Sequence, residues 1–186
     1  MRSDSIFKDD IAKIIIPERV LQNRIEELGG EITSSYQHGG EVVMVCILRG
    51  AVMFMADLSQ QINLPVIFDF MDVSSYGVAT ESSGVVRIIK DLEENIENRH
   101  VLIVEDIMDT GKTLKYVVDM LQTRNPASIK IATLLDKPER RVVKQINADF
   151  NGFEIPDEFV VGYGLDFAER YRNLPFIGVL KKELYS

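Results

Sequence analysis

At 186 residues, with 46% hydrophobic and 27% charged side chains, the chain has the balance of a soluble globular protein and the length of one ordinary domain. A net charge of −8 without any basic arm argues against sequence-independent nucleic-acid binding, so no nucleic-acid partner is expected. The longest apolar run, Val42–Leu48, is seven residues against the roughly 20 that a membrane helix needs, so no membrane partner is expected either. Residues 1–10 mix two basic and three acidic side chains with no apolar stretch, which predicts no secretory signal. The single cysteine, Cys46, lies inside the apolar run and reads as an inert core thiol in a reducing cytoplasm.

In chain order, Pro17 suits the first position of a helix whose stripe is Val20, Leu21, Arg24/Ile25, Leu28 and Ile32. Strands are predicted over 42–48, 65–71, 85–89, 101–104 and 129–135, and helices over 51–62 and 113–122. The runs at 42–48 and 101–104 are continuously apolar, as expected of strands covered on both faces. This alternation predicts an α/β fold around a mostly parallel central sheet flanked by helices. The stretch 74–84, SSYGVATESSG, is small, hydroxyl-rich and aperiodic, which predicts a mobile lid-like loop carrying Ser75 and Tyr76. From Phe153 onward, alternating aromatic residues and glycines predict short strands and turns forming a small hood. No linker or repeat interrupts the chain, so residues 1–186 are read as a single domain.

The segment 101–113, VLIVEDIMDTGKT, carries the chemistry. An apolar strand is expected to end in the adjacent carboxylates Glu105 and Asp106, and Asp109 opens the turn Asp109-Thr110-Gly111-Lys112-Thr113 into a helix. In open α/β sheets ligands bind beyond the carboxyl ends of the strands. The turn supplies backbone N–H groups, threonine hydroxyls and a helix N-terminus, the parts of a phosphate cradle. Two nucleotide motifs fail on inspection. A Walker A loop ending in Gly111-Lys112-Thr113 would need glycine where Asp106 stands, and a dinucleotide fingerprint beginning Gly162-Tyr163-Gly164 would need glycine where Phe167 stands.

VLIVEDIMDTGKTL resembles the phosphoribosyl-diphosphate-binding motif of the phosphoribosyltransferases. LRGAVMFMADL at 48–58, SSYG at 74–77, LLDKPERR at 134–141 and GFEIPDEFVVGYGLDFAERYRNLP at 152–175 are similar to the 6-oxopurine branch. The resemblance spans about residues 10 to 180. It implies a type I phosphoribosyltransferase-like fold and a cytoplasmic purine-salvage pentosyltransferase. The implied reaction moves ribose 5-phosphate from phosphoribosyl diphosphate to N9 of hypoxanthine or guanine, giving IMP or GMP and pyrophosphate.

By the same resemblance, Glu105 and Asp106 lie against the ribose hydroxyls, with contact to the metal as a further role, and Asp109 stands near N7 of the purine as general base or charge stabiliser. Asp109, Thr110, Gly111, Lys112 and Thr113 hold the 5′-phosphate. Arg49, Gly50 and Arg172 match the pyrophosphate contacts, although family members commonly carry lysine where this chain has Arg49. Asp166 matches a metal-associated aspartate, and Mg2+ is the implied cofactor, because it suits phosphate oxygens and needs few protein ligands. Lys137 matches the donor to the 6-oxo group, Phe159 the residue stacked on the purine, and Val160 the backbone that reads the ring edge. Family habit implies a homodimer or homotetramer. His38 and His100 have no companion ligands at metal spacing and are expected to face solvent.

Two other readings stand beside this one. Some proteins of the superfamily sense phosphoribosyl diphosphate without catalysis, which the acidic balance and Asp109 oppose. The same chemistry on a pyrimidine is opposed by the base-side segment, whereas the ranking of hypoxanthine, guanine and xanthine is left open.

Overall fold

The computed structural model describes residues 7, 9–36, 40–75 and 86–185. Strand β2 (Val42–Leu48) is buried along almost all its length because its alternate residues feed two apolar layers. Val42, Met44 and Cys46 meet Leu21, Ile25 and Leu28 of helix α1 (Glu18–Ser35) and Phe54, Met55 and Leu58 of helix α2 (Val52–Gln61). Val43, Val45 and Ile47 meet Leu114, Val117 and Leu121 of helix α3 (Lys112–Gln122) on the other face.

The main sheet adds β3 (Val66–Ser75), β4 (Val86–Lys90), β5 (His100–Met108), β6 (Ser128–Asp136) and β7 (Phe150–Glu154) in the order β4-β3-β2-β5-β6-β7. All pairings are parallel except that of β3 with the edge strand β4. The connection from β2 through α2 leads to β3 on one side, and that from β5 through α3 leads to β6 on the other. The neighbouring strands β2 and β5 therefore form a topological switch point, where such sheets bind ligands. A second, antiparallel sheet joins β1 (Ile11–Ile16), β9 (Ile177–Leu180) and β8 (Val160–Val161) in the order β1-β9-β8. Ile11, Val161, Tyr171, Leu174, Phe176 and Leu180 form its own apolar cluster, the hood.

Several expectations need correction. Strand β5 does not stop at Val104 but continues to Met108, so Glu105 and Asp106 lie within a strand. Ser74 and Ser75 extend β3 rather than opening a loop, while Tyr76 and the rest of the expected lid lie outside the described residues. Val20 is 48% exposed, leaving Leu21, Ile25, Leu28 and Ile32 as the stripe. His100 is half-buried with its Nδ1 2.8 Å from Ser128 Oγ, whereas His38 lies outside the described residues. Strand β1 is an addition to the expected elements, made by pairing Ile11–Ile16 with β9 from the far end of the chain.

Candidate active site

Strands β2 and β5 are paired only as far as Cys46 and Val104, yet β5 stays on β6 up to Met108 and Asp136. Where β2 and β5 part, a cavity of about 240 Å³ opens. One liquid water occupies roughly 30 Å³, so there is room for a ligand of sugar-phosphate size. Its walls include Leu48 from β2, Glu105 and Asp106 from β5, and Asp109, Thr110, Gly111 and Thr113 from the turn that follows. These expected site residues are thus gathered at one place, although Lys112 is not among those lining the cavity.

The acid pair is electrostatically uncomfortable. Burial pushes the Glu105 carboxyl well above the usual carboxylate range, and the neighbouring Asp106 charge adds to it. Burial also raises Asp106, against hydrogen bonds from Glu105 and the Ile107 N–H and the charge of Arg172. Cys46 is pushed up to about 12, by burial first and then by these two acids, which leaves it an inert thiol. The Leu48–Arg49 peptide is cis, and Gly50 follows it directly over the acids. A Cβ on Gly50 would stand 1.5 Å from Asp106 Oδ2, so only glycine brings this loop down onto the carboxylate.

The turn after β5 is built for φ > 0 at Gly111 (80°), where a Cβ would also strike Ile146 at 2.7 Å. Helix α3 starts immediately, with Lys115 N donating to Gly111 O at 2.9 Å. The Thr110 carbonyl accepts from Val142 and Val143 N–H, each at 3.0 Å. Arg140 Nε donates to Asp109 Oδ1 at 2.7 Å, and Arg141 Nε to the Asp109 carbonyl at 3.0 Å.

On the base side, the Lys137 amide donates to the Met108 carbonyl at 3.0 Å, which ties this segment to the end of β5. The side chain of Lys137 is buried, with Nζ donating to the Glu158 carbonyl at 2.7 Å and lying 3.5 Å from Asp157 Oδ1. Phe159 is 38% exposed and stacks on Tyr185, ring centroids 4.7 Å apart, with Phe167 edge-on at 5.6 Å. Val160 begins β8 beside it.

Arg49, Asp166 and Arg172 meet through Glu169 in a separate cluster. Arg172 reaches Gly164 O (2.8 Å), Asp166 Oδ1 (2.9 Å) and Glu169 Oε2 (3.2 Å), and Arg49 reaches the same Glu169 oxygen at 3.4 Å. Asp166 Oδ2 accepts the Glu169 N–H at 2.9 Å. A Cβ on Gly164 would lie 1.9 Å from the Gly50 carbonyl, so this cluster abuts the loop over the acids. The Nε of Arg172 is buried and makes no hydrogen bond to the described residues, an orphan donor that suits an anion.

Among the described residues no three His, Cys, Asp or Glu side chains converge as a metal-ligand set. The desolvated pair Glu105 and Asp106 nevertheless fits a magnesium ion held chiefly by substrate phosphates, since a cation there would relieve both charges. Arg140, Arg141, Asp157 and Tyr185 were not singled out from sequence. Arg140 and Arg141 lie within the segment LLDKPERR, where the resemblance gives a role to Lys137 alone, and their position just after that lysine is the signal that could have drawn attention to them.

A profile of the phosphoribosyl transferase domain matches residues 18–168. The chain is 55% identical to the hypoxanthine-guanine phosphoribosyltransferase of Bacillus subtilis (strain 168), covering 97% of this chain and 99% of that protein. It is 54% identical to a bifunctional protein TilS/HprT of Listeria monocytogenes serotype 4b, where 96% of this chain spans only 27% of the relative. A crystal structure of a hypoxanthine phosphoribosyltransferase from Staphylococcus aureus superposes with a TM-score of 0.94 at 52% identity, covering 99% of each chain. With a family profile over most of its length and relatives above 50% identity, the chain belongs to the phosphoribosyltransferase family, among relatives named hypoxanthine-guanine phosphoribosyltransferases.

Proposed function

We propose that the protein is a purine-salvage enzyme, one catalytic domain that transfers ribose 5-phosphate from phosphoribosyl diphosphate to N9 of hypoxanthine and guanine. The observation that carries this reading is the parting of β2 and β5 over Glu105, Asp106 and Asp109, in a chain 55% identical to an enzyme of that name. Bond changes balance simply. N9 of the base bonds to C1′, the C1′–oxygen bond to pyrophosphate breaks, and the N7 proton passes to Asp109.

Such a displacement develops positive charge on the sugar, and the carboxylates of Glu105 and Asp106 are suited to accept its hydroxyls. The 5′-phosphate is received by Thr110, Gly111, Lys112 and Thr113, through backbone N–H groups, the two threonine hydroxyls and the start of α3. Arg172, with its orphan Nε, and the loop of Arg49 and Gly50 take the leaving pyrophosphate. Glu105, Asp106 and Asp166 are the residues that would hold magnesium, which when bound neutralises the diphosphate oxygens. Lys137 donates to the 6-oxo group, Phe159 offers its ring to the base, and the Val160 backbone reads the ring edge. We place the activity in the cytoplasm and expect a homodimer or homotetramer.

The test is steady-state turnover of hypoxanthine, guanine and xanthine with saturating donor and magnesium. Formation of IMP and GMP with equimolar pyrophosphate is the expected result. Donor binding without turnover would leave a sensor of phosphoribosyl diphosphate in its place.

A further inference from the structure

We infer that Arg140 is a positioning residue for Asp109, fixing the carboxylate that the reaction uses while its neighbour Arg141 fixes the backbone of the same residue. This rests on the reading of Asp109 and Lys137 given above. Asp109 lies in a turn beyond the last strand residue, Met108, and is 39% exposed at its side chain, so nothing in strand pairing sets its rotamer. Two consecutive arginines supply what the strand does not. Arg140 donates from Nε to Asp109 Oδ1 at 2.7 Å, and its Nη1 lies 3.3 Å from both carboxylate oxygens of Asp157. Anchored by Asp157, the guanidinium is held in place before it meets Asp109.

Arg141 is largely buried. Its Nε reaches the Asp109 carbonyl at 3.0 Å, its Nη1 the Ile146 carbonyl at 3.0 Å, and its Nη2 pairs with Asp136. With the Lys137 N–H on Met108 O and the Val142 and Val143 N–H groups on Thr110 O, the segment 137–143 grips 108–110 at both backbone and side chain. The half-exposed Arg140–Asp109 pair adds little to stability in water, so its effect is geometric. A carboxylate has two oxygens, and proton transfer needs only one. With Oδ1 held, the other is presented at a fixed place relative to Lys137, which sits three residues before Arg140. The group for N7 and the group for the 6-oxo atom are thereby set at one spacing, which matters because misplacement by about 1 Å can cost roughly 10²-fold in rate. A planar fork gives this directional hold, whereas a flexible ammonium gives only charge.

The experiment is a double-mutant cycle in the full chain, read by single-turnover IMP formation and by the KM for the donor. Arg140→Gln is expected to slow the single-turnover rate roughly tenfold, with the donor KM and the melting temperature nearly unchanged. Arg140→Lys should recover only part of the loss. In an Asp109→Asn background, Arg140→Gln should have no further effect, because the group that Arg140 positions can no longer take the N7 proton. A wild-type rate in Arg140→Gln, or an equal loss in both backgrounds, would overturn the inference. A wild-type protein that makes no nucleotide from hypoxanthine would instead remove the functional reading, and this inference with it.

Discussion

The two ends of β5 and β6 are both polar, and they treat charge in opposite ways. At the amino ends His100 pairs with Ser128 in strand register, its Nδ1 2.8 Å from Ser128 Oγ, and its ring packs edge-on to Tyr36 at 5.5 Å. Lys130 lies 4.7 Å over the Tyr36 ring and contacts Ser35 Oγ. At the carboxyl ends two adjacent carboxylates sit in a cavity with their pKa values pushed up by burial. At the amino end His100 and Lys130 find protein partners, although the buried Tyr36 hydroxyl makes no hydrogen bond to the described residues, whereas at the carboxyl end two desolvated acids and the orphan Nε of Arg172 are left for something to complete. Two adjacent carboxylates desolvated together mark a site, because a fold without a ligand gains nothing from holding them there.

The contrast breaks most visibly at Asp109. Asp109→Asn should lower kcat by roughly 10²-fold or more with donor affinity nearly intact, because the amide cannot take the N7 proton. Single-turnover kinetics decide it, and an unchanged chemical step would remove Asp109 from the mechanism. Lys137→Ala should raise the KM for hypoxanthine by about tenfold while leaving that for the donor unchanged, since a buried lysine donor is lost from the base side alone. Equal KM values for wild type and mutant would deny Lys137 its role in reading the base.

The acid pair predicts a gain. A carboxyl whose pKa is higher folded than unfolded binds more protons when folded, so its contribution to stability falls as pH rises through the window between the two values. Glu105→Gln should therefore raise the melting temperature of the ligand-free protein by a few degrees at pH 7, and the gain should shrink as the pH is lowered. A lower melting temperature at pH 7 would show that the charge is already compensated. At the opposite end Ser128→Ala should cost about 1 kcal/mol of stability through the lost bond to His100 and leave kcat/KM at the wild-type value. A large change in kcat/KM there would undo the division between the two ends.

Much of this was legible in the sequence because burial and chemistry each leave a local mark. The run Val42–Leu48 announces a strand covered on both faces, and Glu105, Asp106 and the turn at Asp109 stand together in thirteen residues. The extent of β5 was misjudged because apolarity ends at Val104, whereas backbone pairing with β6 is indifferent to side chains and runs on to Met108. Strand β1 was missed since it is defined by its partner β9 from the far end of the chain. Arg140 and Arg141 carry little local signal beyond their place just after Lys137. Their meaning lies in the carboxylate and the carbonyl of Asp109 some thirty residues away, which only the parallel pairing of β5 and β6 brings near.

The central claim is that the carboxyl end of β5 receives the ribose of the donor. Calorimetric titration of the wild type and of Glu105→Gln/Asp106→Asn with phosphoribosyl diphosphate, IMP and magnesium pyrophosphate tests it most directly. The double variant should lose affinity for both ribose-bearing ligands by tenfold or more and keep its affinity for magnesium pyrophosphate. Wild-type binding of phosphoribosyl diphosphate and IMP by a folded double variant would contradict the claim, and selective loss of magnesium pyrophosphate would move these two acids from the sugar to the metal.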